Sequence, residues 1–237
     1  TFGRAAPAIA QQGAPAVPAI SAPPVPPPPP PGGAAAVADI DTPREEAMVD
    51  VGGRRLHCVR YGAGAPTVVL ISGLGAPQRY WNPIVPALAA VATVVTYDRP
   101  GIGASELGDA PNHGVRAAAD LARLLAALAV PRPYVVVGHS YGGRVARLYA
   151  SRHPENVAAL LLEESSHEDS LPAQIAALDG ADRQFIETYA ASFLQRPAAP
   201  RSERDYRHDT IDQLHAAGPL PRVPLVVMVA ADGSGLP

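Results

Sequence analysis

Short apolar runs alternate with longer stretches of helical period along most of this chain. Such runs are typical of strands that are buried on both faces of a sheet. They occur at Thr67 to Ser72, Thr93 to Tyr97, Tyr134 to Val137, Val157 to Leu162 and Val223 to Val229. Because strands alternate with helices, we predict an α/β fold with a mostly parallel central sheet and helices on both faces.

The strongest helical signal is at Gly114 to Leu128, where the leucines fall on one stripe of the helix surface. A short helix is predicted at Trp81 to Ala90, despite Pro83 and Pro86. Another helix is predicted at Arg144 to Ser151, directly after the third of the apolar runs.

An antiparallel strand pair is predicted at the start of the sheet. Met48 to Val51 and Arg54 to Tyr61 have strand-like patterns, and Gly52-Gly53 between them is a turn signal. Cys58, the one cysteine, lies in the second of these strands, so we expect a buried or edge thiol without a metal or redox role. A single cysteine also excludes an intrachain disulfide.

The chain divides by composition into an arm, a core and an insertion. Residues 1–43 are rich in Ala, Pro and Gly and predict a disordered linker; a ligand for a proline-reading module is the alternative. Residues 44–169 and 221–237 are predicted to form the core, and residues 170–220 a helical cap.

The predicted cap carries several large apolar side chains. They either line an acyl pocket or form the packing surface of the cap itself, and we favour packing. These residues are Leu178, Phe185, Ile186, Tyr189, Phe193 and Leu194. The mixed-charge run from Arg201 to His208 is expected to be solvated.

The composition and net charge of the chain limit the classes of partner that it is expected to bind. The 237 residues suffice for one sizeable domain, and 19 basic against 22 acidic residues leave a net charge of −3. That balance argues against nucleic acid or an anionic membrane as the main partner. No apolar run approaches the roughly 18–20 residues of a transmembrane helix. The compartment is left open: the proline-rich arm is compatible with a secreted or envelope-tethered protein, and a cytoplasmic location is the alternative.

The segment from Val135 to Gly143 gives the clearest indication of a catalytic residue. It reads as a strand, a tight turn with Ser140 at its tip and then a helix, with Gly138 and Gly142 two residues to either side. This spacing is that of a nucleophile elbow, in which a strained backbone projects the serine hydroxyl from the end of the sheet. We expect the two glycines to crowd each other. His139 is expected to point away from the serine and to serve packing rather than catalysis.

Several blocks in a fixed order make the chain resemble the α/β-hydrolase superfamily from about Val49 to Asp232. Ser72 stands where the family's loop after the first parallel strand usually has histidine. The blocks are Thr67 to Gly75, Trp81, Tyr97 to Ser105, Gly138 to Gly143, Leu160 to Asp169 and Pro224 to Val229.

The resemblance implies an acyl-transfer site. Ser140 would be the nucleophile, and the backbone N–H groups of Leu74 and Tyr141 would form the oxyanion hole. A serine at the elbow argues against the dehalogenase and epoxide-hydrolase branches, which use aspartate there. The mechanism needs neither a metal nor an organic cofactor. Asp98 to Ser105 is expected to be a structural turn, with a catalytic role for Asp98 as the minority alternative.

The acid and the base are harder to place. The resemblance nominates either Asp232 or Glu164 as the acid, and the choice stays open. The family's histidine follows one more strand, and the histidines of this chain are not expected to replace it; we expect His153 to cap a helix. They are His57, His113, His139, His153, His167, His208 and His215. We therefore expect a C-terminally truncated fragment that lacks the last strand and helix and turns over little substrate.

Two functions follow from these observations. The first is a serine hydrolase that cleaves a small ester or related acyl substrate. The alternative is a non-catalytic member of the fold that binds a small ligand under the cap. The oligomeric state is left open.

Overall fold

The computed structural model describes residue 42 and residues 44–109, 111–194 and 202–229, without the side chains of residues 192–194. The predicted linker lies outside the described residues, apart from residue 42, and so do Asp232, Arg201 and the side chains of Phe193 and Leu194.

A seven-stranded sheet forms the centre of the described residues, in the order β1-β2-β4-β3-β5-β6-β7. Strand β2 pairs antiparallel with β1 and with β4, and all other neighbours are parallel. The predicted α/β class and the antiparallel opening pair are therefore confirmed. The strands are β1 Arg44–Asp50, β2 Arg55–Tyr61, β3 Thr67–Ile71, β4 Thr93–Tyr97, β5 Tyr134–His139, β6 Val157–Glu163 and β7 Leu225–Met228.

Six α-helices accompany these strands in the described ranges, with two 3₁₀ helices at Gln78–Trp81 and Pro154–Asn156. Three of the α-helices, α4 to α6, lie between β6 and β7, where the cap was expected. The α-helices are α1 Val85–Ala89, α2 Gly114–Leu128, α3 Tyr141–Arg152, α4 Ser170–Ala177, α5 Gly180–Leu194 and α6 Arg207–His215.

Two of the predicted helices have different bounds. The single helix expected from Trp81 to Ala90 is wrong, because Pro83 has no N–H to donate and the chain forms a 3₁₀ turn before α1 begins. Pro86 falls in the first turn of α1, where an N–H would lack an intrahelical partner anyway. Helix α3 begins at Tyr141, three residues earlier than predicted, because Gly142-Gly143 is helical.

The side chains of the parallel strands alternate between two apolar layers. Val69 and Val136 point toward the layer that contains α2 and α3. Val68 and Val137 point to the opposite layer, which contains Trp81. This period of two confirms that helices cover both faces of the sheet.

The environment of Cys58 agrees with the expected buried thiol. The Cys58 thiol is buried, and this burial raises its pKa to about 11, so the thiol stays protonated and poorly reactive near neutral pH. In the described ranges, no helix combines the length and the apolar character needed to cross a bilayer.

Replacing Leu121 with alanine tests the packing of α2 on the sheet. Leu121 is fully buried, so we expect Leu121→Ala to lower the free energy of unfolding by about 2–5 kcal/mol through lost transfer energy and a residual cavity. Val91→Ala, at a side chain that is 73% exposed, is the control and should change it by less than about 0.5 kcal/mol. Urea denaturation followed by circular dichroism measures both; equal losses would contradict this packing.

Candidate active site

Ser140 occupies the bend between strand β5 and helix α3. Its backbone has φ 50° and ψ −117°, a strained conformation for a residue with a side chain. Two hydrogen bonds hold it there. The Ser140 N–H donates to the carbonyl of Glu163 at 3.0 Å, and the Gly143 N–H donates to the carbonyl of Ser140 at 3.0 Å. The sharp turn that the sequence predicts is thus present.

The glycines around Ser140 are required by close backbone contacts. A Cβ on Gly138 would lie 2.6 Å from the carbonyl oxygen of Gly142, as expected from crowding between the two glycines. A Cβ on Gly142, however, would lie 2.1 Å from the carbonyl oxygen of Ile71 at the end of β3. The expectation of mutual crowding is therefore only half right, because the neighbouring strand excludes a side chain at Gly142.

A cavity of about 230 Å³ opens beside Ser140. Leu74 and Tyr141 line it at the elbow, and helices α4 to α6 contribute other wall residues, among them Tyr189. Of the aromatic cap residues with described side chains, Tyr189 lines the cavity, whereas Phe185 is 69% exposed. The packing interpretation that we favoured for the cap residues is therefore wrong for these two side chains.

The two expected oxyanion-hole residues lie at this same cavity. Tyr141 is the first residue of α3, so its N–H belongs to the helical turn that has no intrahelical acceptors. Leu74 lies in the loop after β3, between Gly73 and Gly75. A Cβ on Gly73 would approach the Ser140 Cβ to 3.5 Å, so this loop passes close to the elbow. The role of the two N–H groups stays a prediction.

His139 packs beside the elbow. Its ring stacks on Tyr80 with 4.8 Å between ring centroids and contacts the edge of Trp81. It is not among the described residues that line the cavity. This placement agrees with the packing role that we expected.

Asp98 organises the turn that follows β4. Its buried carboxylate accepts hydrogen bonds from the N–H groups of Gln78 at 2.6 Å and Ala104 at 3.1 Å. It also contacts Nδ1 of His57 at 3.1 Å. A Cβ on Gly103 would overlap this carboxylate, which explains the glycine. These contacts support the structural role over the catalytic one.

Of the two candidate acids, Glu164 is described and Asp232 lies outside the described residues. Glu164 follows β6 at the same edge of the sheet as Ser140, with φ 44° and an exposed side chain. Its N–H donates to the carbonyl of Met228 at 2.9 Å. The choice between the two carboxylates therefore stays open.

The histidines are engaged elsewhere. His113 caps α2 by accepting from the Arg116 N–H at 3.1 Å, and burial lowers its pKa, which favours the neutral, accepting ring. His153 is the C-terminal cap residue of α3, as expected. His215 contacts Asp169 at 2.9 Å on the surface.

The two histidines not yet placed, His208 and His167, also have polar partners. His208 pairs with Asp212 on α6, and His167 accepts from the Asp169 N–H. No histidine occurs among the described residues that line the cavity beside Ser140. The described ranges also contain no cluster of three or more potential metal ligands.

Comparison with known proteins decides the family. The family model described as "alpha/beta hydrolase fold" matches residues 66–220, well over half of the chain. The chain belongs to the α/β hydrolase fold family. A solved structure of a candidate epoxide hydrolase mutant from Pseudomonas aeruginosa superposes with a TM-score of 0.55 at 27% identity, covering 65% of this chain and 50% of that one.

Two curated relatives show how varied the named activities of the family are. A fluoroacetate dehalogenase from a Burkholderia species is 33% identical over 160 residues, which are 65% of this chain and 50% of that protein. The candidate carbamate hydrolase RutD of Azorhizobium caulinodans is 35% identical over 111 residues, or 47% of this chain and 41% of that protein. The chain therefore spans at most half of the length of these relatives.

A buried ion pair that the sequence did not reveal supports the α/β hydrolase loop containing Leu74. The Arg99 guanidinium donates to the carbonyls of Ser72 and Gly73, both at 2.6 Å. It also pairs with the Glu203 carboxylate at 2.6 Å. One oxygen of that carboxylate in turn accepts from the Gly75 N–H at 2.7 Å. The loop is thus held on both sides of Leu74.

For Glu203 and Arg207, the structure corrects the expectation that the mixed-charge run from Arg201 to His208 is solvated. Glu203 is buried between the loop and the helical insertion, and Arg207 is buried as well. Burial by itself would lower the pKa of Arg99, but the Glu203 carboxylate outweighs it and the pKa is raised. Arg99 lies in the turn motif from Tyr97 to Ser105, whereas Glu203 is distant in the sequence and carries no local signal.

Removing the charge of Glu203 should destabilise the protein strongly. We expect Glu203→Gln to lower the free energy of unfolding by about 3–5 kcal/mol, because it leaves Arg99 buried without a counter-ion. Glutamine keeps an acceptor for the Gly75 N–H, so the charge is what the variant tests. Glu187→Gln, in the exposed pair with Arg183, is the matched control and should cost about 0.5 kcal/mol or less.

Urea titration of the two variants and of the unmodified protein measures the difference. Similar small losses for Glu203→Gln and Glu187→Gln would show that the buried pair contributes no more than a surface pair. Hydrogen exchange at Gly75 adds a local measurement, and faster exchange is expected in Glu203→Gln alone.

Proposed function

We propose that this protein is a serine hydrolase that cleaves an ester or a related carbonyl substrate through an acyl-serine intermediate. One observation carries the proposal. The Ser140 side chain lies at a strained strand-to-helix bend and faces the cavity that Leu74 and Tyr141 also line. An alcohol at this bend favours acyl transfer, although relatives of the chain are named for other reactions.

In the proposed reaction, the Ser140 Oγ attacks the substrate carbonyl carbon and its proton passes to a general base. The oxyanion accepts hydrogen bonds from the N–H groups of Leu74 and Tyr141; losing one such donor typically costs about 3–4 kcal/mol. The carbon–oxygen bond then breaks, and the alcohol leaves with the proton from the base. Water attacks the acyl carbon, releases the acid and restores the hydroxyl.

The other parts of the proposal follow from this assignment. Either Glu164 or Asp232 would orient the base, and residues 170–220 would act as a cap over a small acyl substrate. The chemistry calls for no metal or organic cofactor. Residues 1–43 would act as a spacer.

A second function is favoured by the described walls of the cavity, which contain no histidine. A serine without a base is a poor nucleophile, so the cavity could serve to bind a small ligand without turnover. The two functions differ in whether Ser140 becomes acylated.

Labelling with a fluorophosphonate probe distinguishes them. The Ser140 Oγ displaces fluoride from the probe, and intact-mass spectrometry measures the adduct over time. We expect one adduct per chain that Ser140→Ala abolishes. Ser151→Ala is the matched control, because this serine also lies on α3 but bonds to the Gly218 carbonyl away from the cavity, and it should label normally.

Added imidazole tests whether the site of this chain lacks its base. General-base catalysis typically contributes about 100- to 10,000-fold, so we expect imidazole to raise the rate of Ser140-dependent labelling at least about tenfold. Labelling that occurs equally in Ser140→Ala, or no labelling even with imidazole, would reject the hydrolase and favour the binding protein.

A further inference from the structure

Two arginines line the cavity beside Ser140, and both are nearly buried. Arg144 and Arg207 are each 7% exposed. Arg144 follows Ser140 by four residues on α3, a rise of roughly 6 Å along the helix. Arg207 comes from the start of α6, on the side of the helical insertion. Two cationic groups from different elements thus face one small space.

The partners of Arg144 leave its charge uncompensated. Its Nε donates to the carbonyl of Ser166 at 3.3 Å and its Nη2 to the carbonyl of His167 at 3.4 Å, both long hydrogen bonds to neutral acceptors. No carboxylate within the described residues lies at ion-pair distance from it. Burial lowers the pKa of Arg144, which reflects the desolvation of its charged form.

The acidic residue on the same cavity wall is already neutralised. Both oxygens of Glu168 accept from Arg147, at 2.5 and 2.7 Å, and this pairing lowers the pKa of Glu168 to about 2. Burial lowers the pKa of Arg207, Arg204 adds to this effect and Asp205 opposes it. Because Glu168 is paired with Arg147, Arg144 keeps no carboxylate partner within the described residues.

A desolvated cation is unfavourable unless an anion faces it. The planar guanidinium matches a carboxylate with two parallel hydrogen bonds. We propose that this cavity takes a small ester that carries a carboxylate, with the carboxylate on Arg144 and Arg207 and the ester carbonyl at Ser140. This inference rests on the proposed hydrolase activity and names its substrate class.

The dimensions suit a short dicarboxylic monoester. The cavity of about 230 Å³ is small, so a short acyl chain suits it better than a long one. In a succinyl group a short spacer separates the carboxylate from the ester carbonyl. The length of that spacing is comparable with the rise of one turn of α3, which separates Ser140 from Arg144. Leu171 and Ile211 provide apolar wall for that spacer.

A matched pair of esters tests the charge. Mono-4-nitrophenyl succinate carries the carboxylate, and methyl 4-nitrophenyl succinate has the same skeleton without the charge. For the unmodified protein with imidazole present, we expect kcat/KM to be at least tenfold higher for the charged ester. Arg144→Met should lower kcat/KM for the charged ester by tenfold or more, mainly through KM, and that for the neutral ester by less than threefold.

Three additional variants separate charge from packing. Arg144→Lys keeps a cation and should recover part of the preference, while Arg207→Met should weaken it as Arg144→Met does. Arg183→Met, at a surface ion pair on α5, should leave the preference unchanged. Equal rates for the two esters in the unmodified protein, or an equal loss for both in Arg144→Met, would overturn the proposal.

A binding measurement separates this proposal from the proposed activity. By calorimetry we expect succinate to bind the unmodified protein and succinamide to bind at least tenfold more weakly, with the difference lost in Arg144→Met. Arg144-dependent succinate binding without acylation of Ser140 would keep the anion site and reject the hydrolase. Acylation without any preference for the anion would reject the site and keep the hydrolase.

Discussion

The structure depends on how closely two backbones approach at the end of the sheet. The turn after β5 presses against the last carbonyls of β3, so that a side chain at Gly142 would collide with Ile71 and Ser72. This contact brings the start of α3 next to the loop that contains Leu74. Ser140 is held at a positive φ between the two. Without glycine at this point, the helix could not begin where it does and the serine would not face the cavity.

The loop on the other side of the cavity is held by charge instead of by backbone contact. Arg99 and Glu203 are separated by 104 positions in the chain, yet both are buried and together satisfy polar groups on either side of Leu74. A buried pair of this kind is a weak source of net stability, because desolvation offsets its attraction. Its hydrogen bonds also join the backbone on both sides of Leu74 to one buried pair of side chains.

The acidic and basic side chains near the cavity differ in how they are paired. Glu203 and Glu168 are each matched by an arginine, whereas Arg144 has only carbonyl oxygens as partners among the described residues. The histidines are engaged in caps, ring stacks and surface pairs away from the described cavity wall. The uncompensated charge of Arg144 supports the proposed anion site, whereas the described wall of the cavity offers no histidine that could serve as a base.

Local patterns in the sequence determined the α/β class, the antiparallel opening strands and the bend at Ser140. These features depend on neighbouring residues: runs of β-branched side chains, a leucine stripe and glycines at fixed spacing. The break before α1 also had a local cause in Pro83, but the pattern alone favoured one helix. Only the tertiary structure decided that Gly142 is constrained by β3, that Glu203 is buried against Arg99, and that Arg144 and Arg207 share one cavity. These contacts join residues far apart in the chain, and their free energy comes from desolvation and packing that exist only after the elements have come together.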